Sequence, residues 1–389
     1  AQDLVVWRAS DAAFPRPALP PATRPGRERL LPAANSARLL RTSDAGASLP
    51  AEQTASAARA EWSIAERVPS PNGHTVPWFT SSFLGSGADA GALTTVQPHR
   101  AAPSGPAATR FPGHATRWTV VENGTRISKA TVAQTVTYSV PGWANISSLD
   151  GCGQIGQLQS GGPLLIQSVN YNTVGSTGMG VAAFVSVEGL QWRWLSVAAV
   201  PADLPSPATG ASETALSVLT DGSVLIVIRT GNGFHGREAL YGTRSGATSP
   251  GEVWSKPAAL GSAAAAPWGV KPTLLQVPRG PLLLATGRPG LFLWVSYDGG
   301  SEWSAHNLAA AHNAALSLSD PGRFTAKCVA AAVQGPAEAE TTAYTSLVHA
   351  VNGADAVVCY DRLAHGWFGP SRNQSDRVYC LPVWLEIES

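Results

Sequence analysis

Charge is scarce in this chain. Only 14% of its 389 residues are Asp, Glu, Lys or Arg, the formal net charge is +1, and no basic run occurs. A nucleic-acid partner is therefore not expected, because phosphate binding needs clustered cations and these are scattered. Long apolar runs are missing too. The best extend for about ten residues, too short to cross a bilayer as a helix, so membrane insertion is not expected. Methionine occurs once, while glycine (39) and proline (30) are frequent, a balance that suits short strands joined by turns better than long helices. No metal-type ligand spacing and no phosphate loop is visible, and the eight histidines are dispersed with none beside a nucleophile elbow. Neither a metal, another cofactor nor a Ser-His-Asp triad is expected.

What is present points outward from the cell. Apolar residues make up 44% of the chain, enough for a sizeable core. The chain starts at Ala1, consistent with a signal peptide already removed, and three N-glycosylation sequons begin at Asn123, Asn145 and Asn373. The four cysteines, Cys152, Cys328, Cys359 and Cys380, can form two disulfides in three connectivities, or some can be buried free thiols. A secreted protein with extracellular protein partners fits these features.

Ser296-Tyr297-Asp298-Gly299-Gly300-Ser301-Glu302-Trp303 matches Ser-x-Asp-x-Gly-x-x-Trp, the Asp-box hairpin of β-propeller blades. The serine and aspartate can bind turn amides, the second glycine takes a backbone conformation closed to other residues, and the tryptophan folds back as an apolar plug. Gly290–Val295 reads as the strand entering the hairpin. Two weaker copies occur. Ser186–Trp192 keeps the serine, an acid and the tryptophan one residue short, and Thr42–Leu49 has the full spacing with leucine for the aromatic. Internal repetition of this kind is the signature of a repeat fold.

From residue 145 onward, apolar strands alternate with Gly-rich turns. Thr214–Leu219 and Val224–Arg229 flank Asp221-Gly222, Pro272–Val277 and Pro281–Thr286 flank a Pro-Arg-Gly turn, and Tyr344–Val351 precedes Asn352-Gly353. Units recur every 60 to 70 residues or so, as in a propeller of about six four-stranded blades. The fold expected is all-β: a six-bladed β-propeller with Asp-box hairpins, spanning 1–389 as a single domain. Early blades occupy 1–140 with long Pro/Ala/Gly-rich loops, among them 85–115, and clearer blades occupy 141–389. The strand Val378–Ile387 is expected to close the ring against Leu4–Trp7.

The ordered set of motifs resembles the sialidase superfamily. Glu213-Thr214-Ala215-Leu216-Ser217-Val218-Leu219-Thr220-Asp221-Gly222, running on to Arg229, is similar to that family's Glu…Asp-Gly…Arg hairpin. Gly287-Arg288 resembles its arginine strand before an Asp-box. Tyr344-Thr345-Ser346-Leu347, followed by Tyr360-Asp361, resembles its Tyr-Ser-x-Leu strand and later Tyr-Glu. The resemblance covers residues 186–361. It implies a retaining exo-glycosidase acting on terminal sialic acid or a related acidic sugar, with Tyr344 as nucleophile and Glu213 as its base. Arg229 and Arg288 would be two members of a substrate-binding arginine triad, and Asp361 stands where the family has a glutamate that orients an arginine. The substrate's carboxylate sits on the anomeric carbon, so a neutral nucleophile avoids charge repulsion, and arginines suit the carboxylate. The N-terminal matches are thinner. Arg67-Val68-Pro69 is the nearest to the first arginine strand, and Asp89 lies where the acid/base could sit.

Plainer readings stand beside these. Glu213 and Arg229 face each other across one hairpin as a cross-strand ion pair would. Arg288 can cap a turn, Tyr344 can be a core aromatic, and Asp361-Arg362 can be a surface pair. The corresponding alternative function is a non-catalytic propeller, a glycan-binding or structural module of an extracellular assembly. A propeller lyase fits the Glu-Arg hairpin and the arginine strand less well.

Overall fold

The computed structural model describes residues 4–9, 28–30, 40–41, 62–68, 81–84, 92–98, 106–121, 126–147, 155–158, 164–230, 239–262, 266–278, 280–331, 340–342, 344–349, 355–364, 366 and 377–387. The fold is an all-β propeller. Four antiparallel blades follow one another, each with its first strand innermost. The first blade has a split inner strand, Asn145–Ser147 and Ile155–Leu158, then Leu164–Asn172, Gly180–Ser186 and Gln191–Ala199. The second runs Ala211–Val218, Val224–Thr230, Tyr241–Arg244 and Ala258–Ala259. The third runs Thr273–Gln276, Leu282–Thr286, Phe292–Ser296 and Ser304–Asn307. The fourth has Thr345–His349, Ala356–Arg362 and Arg377–Val383, and takes its outer strand, Leu40–Arg41, from the N-terminal region. The expected count of six blades is not established by the described residues.

The apolar runs form strands buried on both faces. In Val224–Thr230, Val224, Ile226 and Ile228 pack with Ile166, Val181 and Leu216 between the first and second blades. The intervening Leu225 and Val227 pack with Leu274, Leu284 and Trp294 between the second and third. Leu283 and Ala285 turn the other way, towards Leu347, Val358, Tyr360 and Tyr379 of the fourth blade. Side chains that alternate at period two thus supply two cores from one strand, which is why these segments read as unbroken apolar runs.

The hairpins between third and fourth strands repeat one device. Ser296 Oγ accepts from Gly300 N at 2.8 Å, Asp298 Oδ1 accepts from Ser301 N and Glu302 N at 3.0 Å each, and Trp303 Nε1 donates to Gly300 O at 3.0 Å. In the first blade Gly189 N donates to Ser186 Oγ at 2.8 Å, and Trp192 Nε1 to Gly189 O at 2.9 Å. In the second, Trp254 Nε1 donates to Gly251 O at 3.0 Å, a copy that lacks the serine and aspartate. Gly189, Gly251 and Gly300 have φ of 79°, 81° and 102°, a left-handed backbone that glycine adopts without a steric cost.

Two expectations need correction. Ring closure does not use Leu4–Trp7, because Leu4–Ala9 pairs with Trp62–Val68. The C-terminal strands pair instead with Leu40–Arg41 and Glu28–Leu30, whose register places Leu30 opposite Leu385. Residues 85–115, expected as loop, contain Ala92–Pro98 and the start of Ala108–Val121. With Ser81–Leu84 and Arg126–Trp143 these make a meander joined to the outer edge of the first blade by parallel pairing of Gln191–Arg193 with Thr137–Ser139. Of the cysteines, Cys359 and Cys380 are directly cross-strand, with Cα atoms 4.1 Å apart, and form a disulfide, whereas Cys328 is a buried free thiol. Cys152 lies outside the described residues. Two short helices, Leu308–Ala314 and Ala326–Val329, follow the third blade, capped by Asn307 and Thr325. Among the described residues no helix is long and apolar enough to cross a membrane.

Candidate functional site

In each blade the first strand starts, and the second strand ends, at the same end of the sheet. Antiparallel pairing therefore gathers the first residue of one strand and the last of the next at one rim, and packed inner strands bring those rims together. Ser168 and Thr214 share a hydroxyl bond at 3.0 Å across one blade boundary, and Thr273 and Thr345 at 3.5 Å across another. Glu213 and Tyr344 sit at inner-strand starts, and Arg229, Arg288 and Asp361 at or just past second-strand ends.

Glu213 Oε2 accepts from Arg229 Nη1 at 2.7 Å and from the backbone N–H of Lys271 at 2.6 Å. The pair is nearly dry, with side chains 5% and 7% exposed. The cross-strand ion pair is thus real. Among the described residues Glu213, expected as the base of Tyr344, is bonded to Arg229 and Lys271 and not to the Tyr344 hydroxyl. The reason is local, since the Arg229 guanidinium and the Lys271 N–H both reach the carboxylate.

Tyr344 is fixed through its backbone. Its N–H donates to Asp361 Oδ1 at 3.2 Å, and its carbonyl accepts from Asp361 N at 3.4 Å. Asp361, expected to orient an arginine, holds the Tyr344 amide. The ring has the Lys271 ammonium 5.5 Å and the Arg288 guanidinium carbon 6.0 Å from its centroid. Burial is the main influence on Arg288 and pulls its pKa below the ordinary value. Tyr344, Glu213 and Asp361 act in the opposite sense, and Arg229 adds to the lowering. The guanidinium stays charged regardless. Arg362 is not a surface partner of Asp361, for it pairs with Glu340 at 2.5 Å with side chains 11% and 8% exposed.

The structure therefore brings Glu213, Arg229, Arg288, Tyr344 and Asp361 to one end of the blades. Arg67 lies on the strand Trp62–Val68, which pairs with Leu4–Ala9 in a two-stranded sheet that sets Arg67 opposite Val5. Asp89, Asn123 and Asn373 lie outside the described residues. Asn145 begins the split inner strand and is 2% exposed, so its amide is not presented for glycosylation. Lys271 was missed by sequence reasoning. It precedes the inner strand of the third blade as Tyr344 precedes that of the fourth, and aligning the strand starts would have found it. Among the described residues no group of three His, Cys, Asp or Glu could hold a metal ion.

No family model matches the sequence, and no curated protein matches it. Among solved structures, the chain is similar to an α-L-arabinanase of Penicillium chrysogenum, at 13% identity over 98% of each chain with a TM-score of 0.48. It is similar to a protein of unknown function from Dyadobacter fermentans, at 14% identity over 85% of this chain and 80% of that one, with a TM-score of 0.46. A third likeness is to the NanB sialidase of Streptococcus pneumoniae, at 13% identity over 70% of this chain and 36% of that one, TM-score 0.42. These are likenesses of chain path.

Proposed function

We propose that the protein is a sialidase-like glycoside hydrolase, acting on terminal sialic acid or a related acidic sugar with retention through a tyrosyl intermediate. The observation that carries this reading is the placement of Tyr344 beside two cations, Lys271 and Arg288, at the rim shared with Glu213, Arg229 and Asp361. In this reading the arginines receive the sugar carboxylate, and the Tyr344 oxygen, its proton passed to Glu213 as base, attacks the anomeric carbon. The glycosidic C–O bond breaks, and an acid protonates the leaving oxygen, a role proposed for Asp89. Water then cleaves the tyrosyl–sugar bond with that acid acting as base. The site residues and the single-domain reading are part of the proposal. So is a secreted setting, which the Cys359–Cys380 disulfide supports.

One observation favours the second reading, a non-catalytic glycan-binding or structural module: Glu213 is engaged by Arg229 and Lys271 rather than by Tyr344. Release of 4-methylumbelliferone from its sialoside decides between them. A hydrolase turns it over, and Tyr344→Phe removes most of the rate because the packing stays and the nucleophilic oxygen goes. A wild type inert on this and other acidic sugars, yet binding an acidic glycan, establishes the module.

A further inference from the structure

Lys271 occupies a position with an unusual local structure. It is one of two non-glycine residues with positive φ among those described, at 50°. This is a left-handed backbone that glycine would adopt without the crowding a Cβ brings. The turn is stitched down on three sides. Val270 N donates to Arg288 O at 3.0 Å and Gly287 N to Val270 O at 2.9 Å, which lays the Lys271 turn against the Arg288 turn. Lys271 N donates to Glu213 at 2.6 Å, and Lys271 O accepts from Thr345 Oγ1 at 3.3 Å. Three blades thus determine where this one residue sits. Its side chain then carries the ammonium to 5.5 Å from the Tyr344 ring centroid.

Strain of this kind persists where the surroundings over-determine it, and it collects at functional positions. Any residue could supply the backbone N–H and carbonyl, and glycine would do so with less crowding. Only a long cationic side chain supplies the charge. We propose that Lys271 is a positioning residue for Tyr344: its ammonium, beside that ring together with Arg288, holds the phenol at the rim and favours its ionised form. This rests on reading Tyr344 as the reacting group of the site. It adds a residue from the third blade that the resemblance to sialidases does not include, and it gives the phenol a source of activation other than a bond to Glu213.

The charged groups facing Tyr344 are Lys271, before the inner strand of the third blade, Arg288, past that blade's second strand, and Asp361, on the second strand of the fourth. The Asp361 carboxylate opposes ionisation, and it accepts the Tyr344 backbone N–H. Glu213 and Arg229 form an ion pair whose charges largely cancel. Two cations lie 5.5 and 6.0 Å from the ring centroid against one carboxylate, a balance of charge that favours the phenolate.

The test reads phenolate absorbance in the near ultraviolet against pH, as the difference between each protein and the same protein carrying Tyr344→Phe. That difference isolates one tyrosine. Lys271→Gly and Lys271→Met should move the Tyr344 step upward by about one pH unit, and Lys271→Arg should bring it back. Lys271→Gly suits the left-handed backbone, so it folds with a thermal midpoint no lower than wild type. A step at unchanged pH in both cation-free variants overturns the inference, as does failure of Lys271→Arg to restore it. The measurement needs no turnover. A shifted step in a protein inert on sialosides ends the hydrolase reading and keeps this one, and an unshifted step in an active enzyme does the reverse.

Discussion

Replacing Arg229 with methionine leaves the Glu213 carboxylate in a site where it has almost no water. The side chains are 7% and 5% exposed, and the Nη1–Oε2 distance is 2.7 Å. At that distance the attraction is about 6 kcal/mol for an effective dielectric of about 20. Desolvation of both groups offsets much of it, so the pair adds little over an apolar isostere, while breaking it on one side costs about 3–5 kcal/mol. One of the carboxylate's two bonds survives, the Lys271 N–H at 2.6 Å, which places Arg229→Met at the lower end. Glu213→Leu removes the carboxylate from both the Arg229 guanidinium and the Lys271 N–H and belongs at the upper end. The double variant removes both charges and should recover most of the loss, leaving a coupling energy of about 2 kcal/mol or more by a double-mutant cycle. Urea unfolding followed by tryptophan fluorescence reads all four proteins. Single variants that each cost less than about 1 kcal/mol, or losses that simply add, would refute the view that this pair is buried and mutually dependent.

Asp298 gives a pH prediction with a definite sign. Burial raises its pKa, but the Glu302 N–H, the Ser296 hydroxyl and the Ser301 N–H outweigh that and leave it lowered. A depressed folded-state pKa contributes stability that is complete above the unfolded value of about 3.9 and fades as pH falls through the folded one. Thermal midpoints of wild type and Asp298→Asn should therefore converge in acid and separate above pH of about 4; curves that stay parallel count against it. Gly251→Ala puts a Cβ 2.6 Å from Ile166 Cδ1 and 3.0 Å from Leu195 Cδ2 at φ +81°. It should cost about 1–3 kcal/mol in chemical denaturation, and an unchanged midpoint is the contrary result. Cys328 is buried, and burial together with the Glu340 carboxylate pushes its thiol up to about 12. Peptide mapping after alkylation at neutral pH should find it unmodified in the folded chain and modified in denaturant; labelling at equal rates in both states would show the site open.

The parts of the fold that could be read from the sequence are those where local chemistry and burial agree. Val224–Ile228 is apolar throughout because both faces are covered, and Ser296–Trp303 carries its own hydrogen-bond partners within eight residues. The hairpin ending at Trp254 was passed over because it keeps only the glycine and the tryptophan, and its indole bond is visible only in three dimensions. Ala92–Pro98 and Ala108–Val121 between them carry several Ala and Thr, with a Pro in each, and look like loop until cross-strand pairing is known. Of the site, Glu213, Arg229, Arg288 and Tyr344 were legible as motif positions. Which bonds they make was not, because the Glu213–Lys271 contact joins residues 58 apart through the packing of neighbouring blades. Lys271 belongs to no motif, and its place follows from blade register alone.

The claim that Tyr344 forms a bond to the sugar is tested most directly by trapping that bond. A sialic acid analogue with fluoride on the anomeric carbon and a second fluorine on the adjacent carbon suits the purpose. Fluoride departs without a proton, so capture does not depend on the acid proposed at Asp89, and the second fluorine slows the hydrolysis that would release the sugar. Intact-protein mass spectrometry should show one added glycosyl residue, localised by peptide mapping to Tyr344 and absent from Tyr344→Phe. A protein that binds the analogue yet gains no mass, or carries the adduct on any other residue, contradicts the account.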